Sequence, residues 1–407
     1  MKRAELLLPA GDLDKLKTAV LFGADAVYVG GKEYSLRAAA ANLSLSEMNE
    51  GLIFAHERGK KLYVAVNILA HNRDLRELPA YLESLEQMAV DGLIISDLGV
   101  MRMARQYAPH IPITVSTQAN ISNYEAAAFY KELGAKRLVL ARELSLDEII
   151  AIKDKVEVEL EIFVHGAMCV SYSGRCLLSH YMTGRSANNG ECAHPCRYQY
   201  QLVEEKRPNE YYSIEEDERG SYILNSRDLC LLPYLPQLAE AGIDSFKVEG
   251  RMKSSLYVAA VARVYRQALD AYYESGRDYT ETQLQGWMEE LQAVATRPFT
   301  NGFIAGESPL LQDINRSSQQ QRTDFCGIVR GYNAEAHRLE IEQRANFGPG
   351  DDLQLMLADG YILELELAAL YDENGRILDR ARHAKQLVYI PFPNKIEVGS
   401  ILRRVAR

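Results

Sequence analysis

The feature that most constrains the fold is a pattern that recurs eight times in the first 250 residues. Each repeat begins with a short run rich in β-branched and other apolar residues, and amphipathic helical patterns lie between the runs. The runs fall at 5–10, 26–31, 61–68, 92–97, 113–118, 137–144, 159–166 and 245–250. Strands that alternate with helices predict a parallel sheet covered by helices. Eight units fit a closed (β/α)₈ barrel of the TIM type better than an open doubly wound sheet. No Gly-x-Gly-x-x-Gly follows the first run, which weakens the dinucleotide-binding alternative.

The helical patterns between the runs have recognisable ends. The first, at 13–23, follows Asp12, a residue type that caps helices, and stops at Gly23, a common helix terminator. Further helices are expected at 46–59, 77–92, 123–135, 228–241, 254–275 and 282–295. Prolines interrupt the pattern at 228–241.

The chain of 407 residues divides into two predicted domains. The barrel domain spans 1–300, and an insertion at 167–227 interrupts it after the seventh strand. Beyond residue 197 this insertion alternates in the manner of a β-hairpin. Residues 301–324 are polar and rich in turn formers, which indicates a linker. Short strands separated by Gly, Asn and Asp predict a small all-β domain at 325–407, which we interpret as a barrel.

Charge and apolar content limit the functional classes. The net charge of −10 counts against a protein that coats nucleic acid nonspecifically, but it is compatible with local basic patches. Two basic islands, at 165–200 and 382–407, contain aromatic residues that could stack on unpaired bases. No apolar run reaches about 18 residues, and the start does not resemble a signal peptide. We therefore expect a cytoplasmic protein with no membrane partner.

Four of the six cysteines fall within 28 positions. They are Cys169, Cys176, Cys192 and Cys196. In a reducing compartment, clustered cysteines indicate metal or redox chemistry rather than disulfides. An iron–sulfur cluster takes four thiolates and tolerates irregular spacing. A zinc site usually uses tight pairs, which only Cys192 and Cys196 provide. Unrelated buried cysteines are the third interpretation.

The cysteine cluster begins four residues after His165, at the C-terminal end of the seventh predicted strand. In a (β/α)₈ barrel, active sites lie on the face formed by these strand ends. His165 has three interpretations: a neighbour of the metal cluster, an acid/base group, or a hydrogen-bonded core histidine. Glu249, at the end of the eighth predicted strand, is the second candidate catalytic residue.

Three arginines are predicted to lie at the same mouth, namely Arg37, Arg142 and Arg251. Guanidinium groups bind carboxylates through two parallel hydrogen bonds, so the mouth is predicted to hold a small molecule that carries carboxylates. Other polar residues at the predicted strand ends are Asp12, Tyr28, Asn67, Asp97, Gln118 and Glu143.

Several segments resemble one known family. They are "ELLLPAGDLDKLKTAVLFGADAVYVGG" at the start of the barrel, "HGAMC", "SGRCLLS" and "CAHPCR" around the cysteines, and "NSRDLCLLPYLPQLAEAGIDSFKVEGRMKS" around the eighth run. Together they resemble the collagenase-like peptidase family, peptidase U32, over essentially the whole chain. The short β-domain after the barrel is most similar to the tRNA hydroxylation branch of that family.

The resemblance implies a cofactor, an activity and partners. The four clustered cysteines match the ligands of a 4Fe–4S cluster one by one, which leaves Cys230 and Cys326 as ordinary buried residues. The activity implied is oxygen-independent, prephenate-dependent formation of 5-hydroxyuridine at the wobble position of tRNA. The partners expected are tRNA, prephenate, the iron–sulfur assembly machinery and, as in relatives that work in pairs, a homologous subunit. The β-domain at 325–407 is then the expected arm for tRNA, through the basic island at 382–407. The assignment of the two prephenate carboxylates to the three arginines is our own inference.

Other functions remain open. A collagenase-like metallopeptidase fits the family name, but the chain contains neither His-Glu-x-x-His nor Gly-x-Ser-x-Gly. A sister hydroxylase would act on ribosomal RNA or on a quinone precursor, and the β-domain favours RNA. A noncatalytic RNA-binding scaffold with a structural zinc would lose folding rather than redox chemistry when one cysteine is replaced.

Overall fold

The computed structural model describes most of the chain. The described residues are 2–35, 41–168, 179, 183, 193, 202–204, 207–212, 216–217, 220–221, 227–306 and 322–405. Arg37 and the four clustered cysteines lie outside the described residues.

Eight parallel strands form a closed barrel. They are β1 (Glu5–Pro9), β2 (Ala26–Gly30), β3 (Lys61–Val66), β4 (Gly92–Ile95), β5 (Ile113–Val115), β6 (Arg137–Val139), β7 (Glu159–Ala167) and β8 (Ser245–Val248). Each strand pairs in parallel with the next, and β8 pairs with both β7 and β1. The predicted (β/α)₈ barrel is confirmed, and each strand lies within a run identified from the sequence or extends one residue beyond it.

Helices cover the outside of the barrel. They are α1 (Leu13–Leu21), α2 (Leu45–His56), α3 (Leu78–Met88), α4 (Leu98–Tyr107), α5 (Tyr124–Glu132), α6 (Leu146–Lys155), α7 (Leu235–Glu240), α8 (Ser255–Ser275) and α9 (Glu281–Val294). The side chains of Asp12, Ser44 and Asp97 accept hydrogen bonds from backbone N–H groups in the first turns of α1, α2 and α4. Within the described ranges, no helix is long and apolar enough to cross a lipid bilayer.

The main core lies between the barrel and its helices. Side chains alternate along the strands, so Leu6 and Leu8 of β1 face the helices, whereas Leu7 joins a small cluster with Tyr28 and Tyr63. That small cluster lies inside the barrel. It shares the interior with charged side chains, which form the floor of the site described below.

The prediction of a helix at 228–241 is wrong for the first half of that range. Asp228–Cys230 instead forms a short strand antiparallel to the end of β7, and α7 begins only after one 3₁₀ turn. Pro233 and Pro236 explain the change, because proline disfavours helical backbone at the preceding residue and cannot donate a helical hydrogen bond.

The insertion contains short antiparallel strand pairs among its described residues. Leu202–Glu204 pairs with Arg207–Tyr212, and Glu216–Asp217 pairs with Gly220–Ser221. These pairs agree with the strand alternation noted beyond residue 197.

The C-terminal domain is an antiparallel all-β sheet, as predicted. Its strands are β9 (Thr323–Asn333), β10 (Arg338–Gln343), β11 (Leu353–Met356), β12 (Ile362–Leu365), β13 (Leu370–Tyr371), β14 (Ile377–Leu378), β15 (Leu387–Pro391) and β16 (Ile401–Val405). The sheet order is β12-β11-β16-β9-β10-β15-β13-β14. Between the edge strands β12 and β14, the described residues contain no pairing that would close the sheet into a barrel.

Apolar contacts and ion pairs hold this sheet against one flank of the barrel. Ile328, Met356 and Ile401 belong to the same buried core as the barrel helices. Asp14, in the first turn of α1, accepts hydrogen bonds from both terminal nitrogens of Arg330, at 2.9 and 2.7 Å. The pKa of Asp14 is lowered by this hydrogen-bonded guanidinium.

Part of the positive charge of the basic island at 382–407 is paired within the protein. Three of its arginines form ion pairs within the protein, namely Arg382 with Asp379, Arg404 with Asp324, and Arg403 with Glu290 of α9. Arg403 is 4% exposed and joins the sheet to the barrel. The side chain of Arg382 is exposed and that of Arg404 is partly exposed, so the expected contact of this island with tRNA stays a prediction. Arg407 lies outside the described residues.

Candidate active site at the barrel mouth

A pocket lies at the C-terminal ends of the barrel strands, where TIM barrels hold their active sites. It encloses about 430 Å³, part of which is open to solvent. Six of the residues singled out in the sequence line it: Tyr28, Asn67, Gln118, Arg142, Glu249 and Arg251. Asp12 and Asp97, from the same set, cap helices instead.

The other lining residues were missed by the sequence analysis. They are Ala65, Ile94, Ser116, Thr117, Phe163 and Lys247. Most are ordinary strand or turn residues with no individual signal. Lys247 is the exception, because a lysine between Phe246 and Val248 in a predicted barrel strand is a charge in a segment expected to be buried.

Arg142 extends from the end of β6 toward the end of β7. Its Nη1 donates to the backbone oxygen of Ala167 at 2.8 Å, and its guanidinium carbon lies 4.4 Å from the ring centre of Phe163. Its Nε is buried and makes no hydrogen bond to any described residue. Leaving a buried N–H without an acceptor is costly. Arg142 is therefore well suited to binding an anionic ligand.

Arg251 is a second cation of the pocket and is almost fully buried. Its Nη1 donates to the hydroxyl of Ser35 at 2.8 Å. Gly30 makes this position possible, because a Cβ at residue 30 would lie 2.1 Å from the same nitrogen. Gly11 has a similar role, since a Cβ there would lie 2.2 Å from the Arg251 backbone oxygen. Close approach of two glycines thus fixes the arginine in place.

Lys247 forms part of the pocket lining from β8. Its ammonium donates to Glu161 at 2.7 Å and lies 4.6 Å from the ring centre of Tyr28. Both Lys247 and Glu161 are buried. The lysine charge is therefore compensated by a carboxylate on the neighbouring strand and by the face of an aromatic ring.

The ion pairs continue below Lys247 toward the other end of the barrel. Arg137 of β6 donates to Glu161 at 3.2 Å and to Glu5 at 2.6 Å, and Tyr63 also donates to Glu5 at 2.8 Å. Burial acts to raise the pKa of Glu5, but the charge and hydrogen bond of Arg137 outweigh it and lower that pKa. The pairs Lys247–Glu161 and Arg137–Glu5 thus place each of these charges beside an opposite one.

Glu249 supplies a carboxylate at the mouth. The Tyr28 hydroxyl lies 3.3 Å from Glu249 Oε2 and donates to the Val248 backbone oxygen at 3.0 Å. Gly166, with φ of +108°, lets β7 approach, because a Cβ there would lie 2.4 Å from the Glu249 backbone oxygen. A carboxylate beside two arginines can accept a proton or a hydrogen bond from a ligand.

The structure places His165 outside the pocket. A β-bulge shifts the pairing of β7 with β8, so that Lys247 opposes Phe163 but Val248 opposes His165. The extra residue turns the imidazole toward the outer helices. The ring packs in edge contact with Tyr265 and Phe299, and its Nδ1 lies 3.3 Å from the Tyr265 hydroxyl.

These surroundings are those of a hydrogen-bonded core histidine, the third of the interpretations given above, and not of a residue that contacts a ligand in the pocket. His165 is 2% exposed. Burial, assisted by the charge of Lys253, lowers its pKa to about 3. The imidazole is therefore neutral at physiological pH and is separated from the mouth by the strand itself.

The buried, neutral state of His165 is expected to make the free energy of unfolding depend on pH. Below pH 6.5 the unfolded chain protonates His165 and the folded protein does not, so this residue reduces stability as the pH falls toward 3. Its contribution is at most about 1.4 kcal/mol per pH unit. Urea unfolding of wild type and His165→Phe between about pH 5 and 7.5 should show a shallower pH dependence in the variant. Equal slopes would contradict the buried neutral state.

The cysteine-bearing insertion is anchored at the mouth at both of its ends. Ala167, at the end of β7, pairs with Asp228, where the chain returns to the barrel. Within the insertion, the buried hydroxyl of Ser179 accepts a hydrogen bond from the backbone N–H of Ala193 at 3.0 Å. The predicted cluster ligands lie outside the described residues, so their arrangement stays a prediction.

Cys230 and Cys326 are both buried and form no disulfide with each other. Both were expected to lie outside the ligand set. Burial raises the pKa of their thiols to about 11 and about 12. Thiols in this state are poor nucleophiles and poor ligands. Among the described residues, no group of three or more His, Cys, Asp or Glu side chains is placed to hold a metal ion.

Known proteins resemble this chain along nearly its full length. Residues 11–312 match the model of peptidase family U32, and residues 321–403 match the C-terminal domain of that family. The "tRNA hydroxylation protein P1" of Bacillus subtilis is 39% identical over 404 residues, which cover 99% of this chain and 95% of the relative. The "tRNA hydroxylation protein P" of Escherichia coli is 35% identical over 444 aligned positions, covering 99% and 96%.

A further relative is named for a different RNA. The "23S rRNA 5-hydroxycytidine C2501 synthase" of Escherichia coli is 40% identical over 276 residues, which cover 68% of this chain and 41% of the relative. The family models together match both the barrel and the β-sheet domain. This chain therefore belongs to peptidase family U32.

Proposed function

We propose that this protein is an RNA-modifying hydroxylase that converts the wobble uridine of a tRNA to 5-hydroxyuridine. The proposed reaction does not use molecular oxygen and takes prephenate as co-substrate. One observation carries the proposal. The mouth of the barrel holds a cationic pocket in a chain that is 39% identical, over 99% of its length, to a protein named for tRNA hydroxylation. Most of the pocket is built from uncharged residues, which suits an organic ligand rather than a bare ion.

The cationic side of the pocket suits a small dianion. Arg142 and Arg251 line it with Lys247, and Lys247 is already paired with Glu161. The charged side chains of the lining are these three cations and one carboxylate, Glu249. Prephenate carries two carboxylates, and guanidinium groups bind carboxylates with strong, directional hydrogen bonds. Arg37, the third predicted arginine, lies outside the described residues.

The four clustered cysteines are proposed to hold a 4Fe–4S cluster, supplied by the iron–sulfur assembly machinery. The donor set fits, because four thiols within 28 residues provide the ligands that this cluster requires. The segment that carries them leaves β7 and returns at Asp228, both at the mouth. When bound, the cluster would supply one-electron redox chemistry. The protein's own pocket residues bind and orient the ligands and limit their contact with water.

The peptidase reading of the family name has no support from the described site. A metallopeptidase needs a metal centre with His and carboxylate ligands. In the pocket lining of the described residues, the titratable groups are Tyr28, Arg142, Lys247, Glu249 and Arg251. This set is suited to binding an anion and favours the hydroxylase over a metallopeptidase.

Replacement of Arg142 tests the proposal. Arg142→Gln is expected to lower kcat/KM for prephenate by about tenfold to a hundredfold, since a hydrogen bond to a charged group contributes about 1.5–3 kcal/mol. The assay is anaerobic turnover of tRNA with prephenate, with 5-hydroxyuridine measured by mass spectrometry of the digested RNA.

The matched control is Arg102→Gln, which removes an exposed arginine from α4. It should keep the wild-type kinetics. If wild-type protein forms no hydroxylated nucleoside under these conditions, the proposed activity is wrong. If Arg142→Gln leaves the kinetics for prephenate unchanged, the arginine side of the pocket is not its binding site.

A further inference from the structure

We propose that Lys247 forms a covalent imine with the ketone of an α-keto acid bound in the barrel pocket, and that Glu161 transfers the protons of this step. Prephenate, the proposed co-substrate, is an α-keto acid, because a ketone lies beside one of its two carboxylates. The inference rests on the proposed function for the identity of the ligand, and it adds a covalent step to the binding of that ligand.

Lys247 is a buried lysine whose side chain reaches the pocket. It lies on β8, is 4% exposed and forms part of the pocket lining. Its ammonium lies 4.6 Å from the ring centre of Tyr28 and 5.5 Å from that of Phe163, and both rings also line the pocket. Lysine is rarely buried, because removing its charge from water is costly. Lysines that form imines with carbonyl substrates are often activated in such partly apolar surroundings.

An anchor for the acid group lies in the same part of the pocket. The guanidinium carbon of Arg142 is 4.4 Å from the ring centre of Phe163, which Lys247 also approaches. The Nε of Arg142 is buried and has no acceptor among the described residues, so it can donate to a carboxylate. In an α-keto acid the carboxylate and the ketone are bonded to each other. One short acid can therefore bind Arg142 through its carboxylate and present its ketone to Lys247.

The Glu161 carboxylate is placed to act as the base. Lys247 Nζ donates to Glu161 Oε1 at 2.7 Å, and the Glu161 side chain is fully buried. An ammonium group becomes nucleophilic only after it loses a proton, and acid/base groups act over hydrogen-bond distances of about 2.6–3.2 Å. Arg137 donates to the other carboxylate oxygen, Oε2, at 3.2 Å. The oxygen that faces the lysine is therefore the one positioned to exchange a proton with it.

The proposed step conserves protons, electrons and charge. Glu161 accepts one proton from the Lys247 ammonium, and the amine nitrogen then bonds to the ketone carbon while the ketone oxygen takes a second nitrogen proton. Glu161 returns its proton to the resulting hydroxyl, which leaves as water as the C=N bond forms. The product is a protonated imine with one positive charge on the same nitrogen. The buried carboxylate thus has a cationic partner before and after the step, which avoids a buried unpaired charge.

Reductive trapping tests the covalent step. Wild-type protein is incubated anaerobically with phenylpyruvate or prephenate and sodium cyanoborohydride, which reduces an imine to a stable secondary amine. Mass spectrometry of the intact chain and of its peptides should find a single adduct, on Lys247. Phenyllactate, in which a hydroxyl replaces the ketone of phenylpyruvate, should give none. Because the adduct is located in the wild-type protein, this result does not depend on the folding of any variant.

Matched lysine variants distinguish a reaction in the pocket from nonspecific labelling. Lys247→Arg keeps a cation beside Glu161 but has no amine, so it should lose the adduct and most of the prephenate-dependent turnover. Lys153→Arg is the control, because Lys153 also pairs with a carboxylate, that of Asp244 at 2.6 Å, but does not line the pocket. It should keep both. Arg142→Gln should raise the phenylpyruvate concentration needed for half-maximal trapping by about tenfold or more.

The outcomes separate this inference from the proposed function. If wild type forms 5-hydroxyuridine but no trapped adduct on Lys247, or if adducts are spread over many lysines, the covalent step is wrong and the hydroxylase stands. Full turnover by Lys247→Arg would also contradict the covalent step. If Lys247 is trapped specifically but wild type forms no hydroxylated nucleoside, the covalent site stands and the proposed function fails.

Discussion

Glu161→Gln is expected to lower the free energy of unfolding by about 3–5 kcal/mol. Glu161 is fully buried and is the carboxylate bonded to Lys247, at 2.7 Å, while also accepting from Arg137. Removing one partner of a buried ion pair leaves the other charge buried without compensation, which costs more than the pair itself contributes. Urea denaturation of the purified protein, monitored by circular dichroism, measures the effect.

Glu159→Gln is the matched control. Glu159 lies two residues earlier on β7 and also pairs with Arg137, but its side chain is 24% exposed. Its loss should cost about 1 kcal/mol or less. In the double variant Glu161→Leu with Lys247→Met, apolar side chains replace the whole pair, and much of the lost stability should return. Equal destabilisation by Glu161→Gln and Glu159→Gln would contradict the buried network.

Cys192→Ser is expected to abolish both the iron content and the hydroxylase activity. A serine hydroxyl does not ionise as a thiol does, so it does not replace a cluster thiolate at neutral pH. Mutation of residues that hydrogen-bond to metal ligands commonly lowers metal affinity or activity by about 10–100-fold. Loss of a ligand itself should therefore reduce turnover by about 100-fold or more. Anaerobically purified wild type should contain about four irons per chain and absorb broadly in the visible range.

Cys326→Ala is the control for this variant, because Cys326 is buried in the β-sheet domain, outside the proposed ligand set. It should retain the iron, the colour and the activity. A colourless wild-type protein with about one zinc per chain would contradict the redox cluster and favour a structural metal. Wild-type iron content that survives Cys192→Ser would contradict the ligand assignment alone.

The barrel and much of its mouth could be predicted because both follow from local pattern. Apolar runs and helix caps are properties of neighbouring residues, and parallel strands bring their C-terminal ends to one face. Asn67, Gln118 and Arg142 could therefore be placed together without coordinates. The β-domain was recognisable for the same reason, since its short strands are separated by turn formers.

The features that the sequence could not indicate depend on strand register and on contacts between residues far apart in the sequence. A one-residue bulge turned His165 from the predicted mouth into the core, and no residue type marks that bulge. Arg403 looked like part of a basic surface, but its partner Glu290 is 113 positions away in the sequence. Lys247 was missed although its charge stands out in the eighth run, and its compensation by Glu161 depends on the pairing of β7 with β8.

The pairing of Ala167 with Asp228 has a consequence for how this architecture can change. The chain leaves the barrel and re-enters it at hydrogen-bonded neighbours, so the two ends of the insertion are already closed by the scaffold. Closing a longer loop then costs little, about 0.6 kcal/mol for each doubling of its length. A change in the length of the segment between therefore adds little to the entropic cost of closing its loop. The same barrel can therefore carry inserted segments of different length between these two ends, each placed at the mouth.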